Sequence, residues 1–93
     1  MRERTIDEMR AKLRDNLKTL RVLEKRADKA ERMYVRNPES RKYEREFDEA
    51  YALQFDCMNK CINLLVKITA GQIDKKTARM MMVTNRRAIE AIV

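Results

Sequence analysis

The chain has 93 residues, of which 40% are charged and 44% apolar, with one glycine, one proline and no histidine. This length allows one domain, and this composition argues against a turn-rich β fold and against disorder. Without histidine, and with only two cysteines, the sequence lacks the ligands of a four-coordinate zinc site and the commonest general acid–base group. We therefore expect a single all-α domain over residues 1–93 that is not an enzyme and carries no cofactor or metal.

The balance of charge points to anionic partners. Lys and Arg number 22 and Asp and Glu number 15, which gives a formal charge of +7, and this favours nucleic acid, acidic protein surfaces or anionic membranes. No apolar run approaches the roughly 18 residues that span a bilayer. Cys57 and Cys61 lie four residues apart in one predicted helix, where the spacing suits a disulfide poorly. We expect two reduced core thiols in a cytoplasmic protein with no membrane partner.

Capping signals divide the chain into helices. Thr5-Ile6-Asp7-Glu8 has the form of a capping box, so a first helix should cover about residues 6–36. Asn37 as the N-cap and Pro38 as the first helical residue predict a second helix over about residues 38–70.

The remaining signals predict a shorter third helix. Gly71 supplies a C-terminal stop for the second helix. Asp74 is a good N-cap residue, so the third helix should cover about residues 75–92. Almost no loop is left between the three helices.

Each long helix carries a seam of residues at alternating steps of three and four, which is typical of a coiled coil. The first seam comprises Ile6, Met9, Leu13, Asn16, Leu20, Leu23, Ala27, Ala30 and Tyr34. The second comprises Tyr43, Phe47, Ala50, Gln54, Cys57, Cys61, Leu64 and Ile68. Folding the chain between the helices pairs positions whose numbers sum to 73 or 74, such as Asn16 with Cys57. The sequence therefore predicts a long antiparallel hairpin, in which Asn16 and Gln54 fix the register or, alternatively, line a buried pocket.

A further apolar stripe on the second helix requires another cover; it consists of Tyr51, Phe55, Met58, Ile62 and Leu65. The third helix offers a matching seam of Ala78, Met81, Asn85, Ala88 and Ile92, and it should lie antiparallel along the stripe as far as about Tyr51. We expect a three-helix bundle built from residues 1–23 and 50–93, with residues 24–49 projecting as a two-helix arm. A homodimer that covers leftover methionine and aromatic surface is left open.

The most informative pattern is a row of cations on the first helix, on the side away from its seam. Eight of them fall within about 100° of arc: Arg10, Arg14, Lys18, Arg21, Lys25, Lys29, Arg32 and Arg36. Like-charge neighbours at this spacing cost about 0.2–0.5 kcal/mol per pair, and an anion lying along the helix would give a reason for that cost. The third helix adds a smaller basic face, with Lys75, Arg79 and Arg86 as auxiliary contacts.

Such a row favours contact with phosphates, with salt-dependent and largely sequence-independent affinity. We predict a non-enzymatic protein that associates with nucleic acid or a nucleoprotein complex, with Arg10, Arg14, Lys18, Arg21 and Lys25 as the central contacts. The alternative is a protein-binding adaptor or inhibitor of the kind that phage and mobile-element genes encode, which blocks a nucleic-acid-processing or defence enzyme. A solvated face without a ligand is the third interpretation.

One enzyme family offers a limited resemblance. The long first helix followed by Asn37-Pro38-Glu39-Ser40-Arg41-Lys42-Tyr43 resembles the small all-helical chorismate mutases, which hold a dicarboxylate with Arg and Lys. The resemblance implies that Arg10 and Arg26 stand near the family's first-helix arginines. The family's other cationic and acidic site residues do not fall in register on this chain, so we expect no turnover of chorismate.

Overall fold

The computed structural model describes the backbone of residues 3–93 and the side chains of residues 5–93. Its elements are α1 (Glu3–Arg36), α2 (Arg41–Ile68), α3 (Lys75–Thr84) and α4 (Arg86–Glu90), and residues 3–93 contain no strand. α1 and α2 pack along each other and α3 packs on α2, in a molecule that measures 52 × 22 × 17 Å. The predicted all-α hairpin with a shorter third helix is confirmed.

The core lies between the two long helices and beneath α3 and α4. Every side chain of the two predicted seams is buried or half-buried, because steps of three and four keep these residues on the facing sides of α1 and α2. The Cys57 thiol donates a hydrogen bond to the backbone carbonyl of Asn16 at 3.4 Å, which confirms the predicted register at that rung. Leu17, 4% exposed, joins the core although the seam pattern did not include it.

α1 begins earlier than predicted. Glu3 is already helical, so Thr5 lies inside the helix and the predicted start at a capping box is wrong. Glu3 and Arg4 are good helix formers, and each residue added to an existing helix gains one backbone hydrogen bond. Helix propagation therefore outweighs the local capping signal.

The turn between α1 and α2 is longer than predicted. Asn37 is not an N-cap: its backbone N–H and its Nδ2 both donate to the Met33 carbonyl, at 3.1 and 3.0 Å, and so close α1. Ser40 is the N-cap of α2, and its hydroxyl accepts the Tyr43 N–H at 3.4 Å. Serine caps about as well as asparagine, so the second of two competing signals starts the helix and Pro38 lies in the turn.

α2 ends at Ile68, two residues before the predicted end. The Gly71 N–H donates to the Val66 carbonyl at 2.9 Å and the Ala70 N–H donates to the Lys67 carbonyl at 3.1 Å. These are the two bonds of a Schellman motif. Ala70, with φ 53°, therefore holds the left-handed position just past the helix, and Gly71, with φ 81°, follows it.

The third predicted helix is divided in two. Its start is confirmed, because the Asp74 carboxylate accepts the Thr77 N–H at 2.7 Å. The helix stops at Thr84, and Asn85 has φ −149° and ψ 62°, so the predicted continuous helix over 75–92 is wrong, and so is the seam position at exposed Asn85. The break redirects the chain so that Ile89 is fully buried in the core.

The cover over the second apolar stripe is shorter than predicted. α3 buries Ile62 and Leu65 and leaves Met58 half-buried. Tyr51 and Phe55 stay 56% and 54% exposed, so the predicted cover as far as Tyr51 is wrong. The reason is the early end of α3 at Thr84.

Candidate anion-binding face

α1 presents all eight predicted cations to solvent. The leucines of the seam hold the opposite side of the helix against α2, so the cations are fixed on the outer side. With a rise of 1.5 Å per residue, the line from Arg10 to Arg36 is about 39 Å long. These eight residues are called the basic row below.

Two members of the basic row have acidic neighbours. Arg10 lies 4.0 Å from Asp7 on the same helix, and Arg21 pairs with Glu90 at the end of α4. The other six make no ion pair and no side-chain hydrogen bond within residues 5–93: Arg14, Lys18, Lys25, Lys29, Arg32 and Arg36. Most of the charge of the basic row is therefore available to an external anion.

A cleft lies where the basic row borders α4. It has a volume of about 260 Å³, and its lining includes Arg14, Lys18, Arg21 and Glu90 over the apolar Leu17. Three of the five predicted central contacts are thus brought to one place. Arg14 and Lys18 can each contact an anion in the cleft, while Glu90 holds the Arg21 guanidinium.

The predicted contacts on the third helix have different surroundings. Lys75 and Arg79 are exposed on α3. Arg86 is not a free surface cation: its two terminal nitrogens donate to the Glu24 carboxylate at 2.6 and 3.1 Å. Its Nε donates to the Met82 carbonyl at 3.1 Å. The hydrogen bonds that Arg86 donates to the Glu24 carboxylate raise the pKa of Arg86. The predicted exposed position of Arg86 is wrong, because this residue ties the α3–α4 junction to α1.

A second basic cluster lies between α1 and α2, and the sequence interpretation missed it. Lys12, Lys60 and Lys67 line a groove of about 410 Å³ together with Asn16 and Asn63. The hairpin register contained the signal for this cluster, because positions summing to 73 place Lys12 beside residue 61, next to Lys60 on α2. Asn16 lines this groove. That it forms part of a binding pocket stays a prediction.

The two cysteines are core residues, as predicted. Both are unpaired, and they are 7% and 0% exposed at Cys57 and Cys61. Burial raises the pKa of Cys61 to about 12 and also raises that of Cys57. Within the described residues no group of three or more Cys, Asp or Glu side chains is placed to hold a metal ion.

The chain was compared with protein-family models, curated proteins and solved structures. None of them matches it. Over residues 3–93, no helix is both long enough and apolar enough to cross a membrane.

Proposed function

We propose that this chain is a non-enzymatic protein that binds nucleic acid, free or within a nucleoprotein complex, through phosphates lying along the basic row. The observation that carries the proposal is the set of six exposed cations on one side of α1 that have no ion pair among residues 5–93. Each cation that meets a phosphate releases condensed counterions, so affinity depends strongly on salt and little on base sequence. Arginine contributes forked hydrogen bonds to phosphate oxygens.

The packing of α1 favours this role because it holds the cations in place before binding. Leu13 and Leu20 are fully buried, and they anchor the helix that carries the row. A preorganised row loses less conformational entropy on binding than a flexible basic tail would.

The distribution of acids orients the bound polyanion. α2 carries exposed Glu44, Glu46, Asp48 and Glu49 near the tip of the hairpin. Like-charge repulsion at this surface disfavours contact with phosphates. A polyanion is thereby directed to the α1 side of the molecule.

The test compares two charge-matched variants. Arg14→Glu with Lys18→Glu alters the basic row, and Arg41→Glu with Arg45→Glu alters exposed cations of α2; each pair lowers the formal charge from +7 to +3. Binding to random-sequence duplex and single-stranded oligonucleotides is measured by fluorescence anisotropy. We expect the row variant to lose at least ~100-fold in affinity, and the α2 variant to lose under ~10-fold, at low salt. Equal losses would contradict a contact localised on the row.

An adaptor or inhibitor role is the second candidate, and exposed Met80 favours it, since this side chain is 59% exposed and methionine repacks readily against varied partners. Such a protein would capture one stoichiometric partner, and Met80→Ser or Arg36→Ala would weaken that capture. The nucleic-acid proposal predicts instead that Met80→Ser leaves binding unchanged.

We also propose a cytoplasmic location, supported by the two unpaired thiols.

A further inference from the structure

Beyond the end of α3, the hairpin has an uncovered aromatic surface on α2. A groove of about 600 Å³ is lined by Phe47, Asp48, Tyr51, Ala52 and Phe55. The rings are ordered against one another, since the ring centroids of Phe47 and Tyr51 are 6.1 Å apart. These five residues together with Glu44, which lies one turn before Asp48, are called the arm face.

The arm face continues the furrow that α3 fills at the other end of the hairpin. Tyr51 and Phe55 lie seven residues before Met58 and Ile62, so the four side chains share one side of α2. Ile62 is only 2% exposed and packs in the cluster that includes Ala78 of α3. The ten residues of α3 cover about 15 Å, whereas the hairpin is about 50 Å long. The molecule therefore has a step, with three layers at one end and an open furrow at the other.

Acidic residues border this open furrow. Glu44 and Asp48 are exposed on the α2 side. On α1, Glu24 contacts the α3–α4 junction through Arg86. Asp28 and Glu31 lie four and seven residues after Glu24, so they are on the same side of the helix, and both are exposed. An occupant that suits the furrow has an apolar stripe flanked by basic residues.

The outer face of α3 has this composition. Met80 and Val83 are 59% and 72% exposed, and Lys76 and Arg79 are exposed beside them. α3 contains no acidic residue. The same chain thus carries an acidic aromatic furrow and a basic apolar helix face, and the ten residues of α3 are long enough to cover the groove from Phe47 to Phe55, which spans about 12 Å.

We propose that a second copy of this chain occupies the furrow. Two chains pair about a twofold axis near the ends of their α3 helices, so that the outer face of each α3 lies on the arm face of the other chain. The two α3 helices then form a middle layer between two hairpins, and every contact occurs twice. Such a contact closes on itself and gives a dimer rather than a fibre. None of the proposed contacts uses a residue of the basic row.

Sedimentation equilibrium over a concentration series tests the dimer directly. Wild type should dimerise, and both Tyr51→Ser with Phe55→Ser and Met80→Ser with Val83→Ser should raise the dissociation constant by at least ~100-fold. The matched control is Val22→Ser with Leu53→Ser, at positions that are 67% and 44% exposed but lie off both faces. Circular dichroism verifies that each variant stays helical. A wild type that is monomeric at every concentration would overturn the proposal, as would an equal loss in the control.

Charge reversal tests which surfaces meet. Glu44→Lys with Asp48→Lys makes both proposed surfaces basic, and Lys76→Glu with Arg79→Glu makes both acidic, so each variant alone should be monomeric. Mixed together they should form a heterodimer, because the basic arm face of one chain then meets the acidic α3 of the other, and the basic α3 of the first meets the acidic arm face of the second. Failure of the mixture to associate would contradict the proposed pairing. These measurements contain no nucleic acid, so their result is independent of the proposed function.

Discussion

The half-buried ion pair between Glu24 and Arg86 holds the last part of the chain against α1. Two hydrogen bonds of 2.6 and 3.1 Å join the groups, and their side chains are 27% and 23% exposed. A third bond from Arg86 closes the end of α3 at the Met82 carbonyl. Replacing Arg86 by alanine leaves the half-buried Glu24 carboxylate without its partner.

The expected magnitude lies between two limits. Exposed ion pairs contribute about 0.2–1 kcal/mol, whereas removing one partner of a fully buried pair costs about 3–5 kcal/mol. For a bidentate pair with about a quarter of each side chain still exposed, Arg86→Ala should lower the free energy of unfolding by about 1–2 kcal/mol. For a domain of this length, that loss lowers the melting temperature by about 4–16 °C.

Urea unfolding followed by circular dichroism measures this cost in Arg86→Ala, in Glu24→Ala and in the double variant. The double-mutant cycle should give a coupling free energy of about 1 kcal/mol. Arg87→Ala is the matched control, because Arg87 is adjacent and exposed, and its loss should stay within about 0.5 kcal/mol. A coupling below about 0.3 kcal/mol, or an equal loss in the control, would refute the structural role of the pair.

Three further predictions concern the core and the helix ends. Ala70→Gly should raise the free energy of unfolding in urea by about 0.5–1 kcal/mol, because Ala70 has φ 53° and glycine adopts that conformation without strain; an unchanged or lower stability would contradict the Schellman geometry. The buried Cys61 has a pKa of about 12 against an ordinary 9.0, so at pH 8 it should react with a disulfide reagent at least ~1,000-fold more slowly in the native than in the unfolded state. The free energy of unfolding should fall from pH 9 toward pH 12, because only the unfolded thiol ionises in that range. Rapid labelling of Cys61 in the native protein would argue against its burial. Asp74→Ala should lower the melting temperature at neutral pH. Because the Thr77 N–H holds the pKa of Asp74 below its usual value, the stabilisation by this cap should disappear as the pH falls through that lowered pKa. A melting temperature equal to that of wild type at neutral pH would exclude a stabilising cap.

The long helices and their pairing were predictable because the seam repeats over many turns, and each repeat independently indicates the same face. Helix ends were less predictable because each depends on one or two residues. Asn37 and Ser40 are both good N-cap residues, and only the backbone shows that Asn37 closes α1. The break at Asn85 lets Ile89 reach the core. The path of the chain to the core is a property of the whole fold, and the residues around Asn85 do not indicate it.

The same distinction applies to the candidate site. Exposure of the basic row follows from helical periodicity alone, so it was predicted and is confirmed. The pairing of Arg86 with Glu24 joins residues 62 positions apart, and it depends on how α4 lies against α1. The groove between Lys12, Lys60 and Lys67 could have been predicted by applying the hairpin register to the charged residues as well as to the apolar ones.

The dependence of nucleic-acid affinity on salt tests most directly whether phosphates bind along the basic row. With six available cations in contact, the slope of log K against log salt concentration for duplex DNA should be about −5.4. Replacing Arg14 and Lys18 by glutamate should make the slope shallower, at about −3.6, whereas replacing Arg41 and Arg45 by glutamate should leave it at about −5.4. No binding at low salt, or the same slope in both variants, would contradict binding of phosphates by the row.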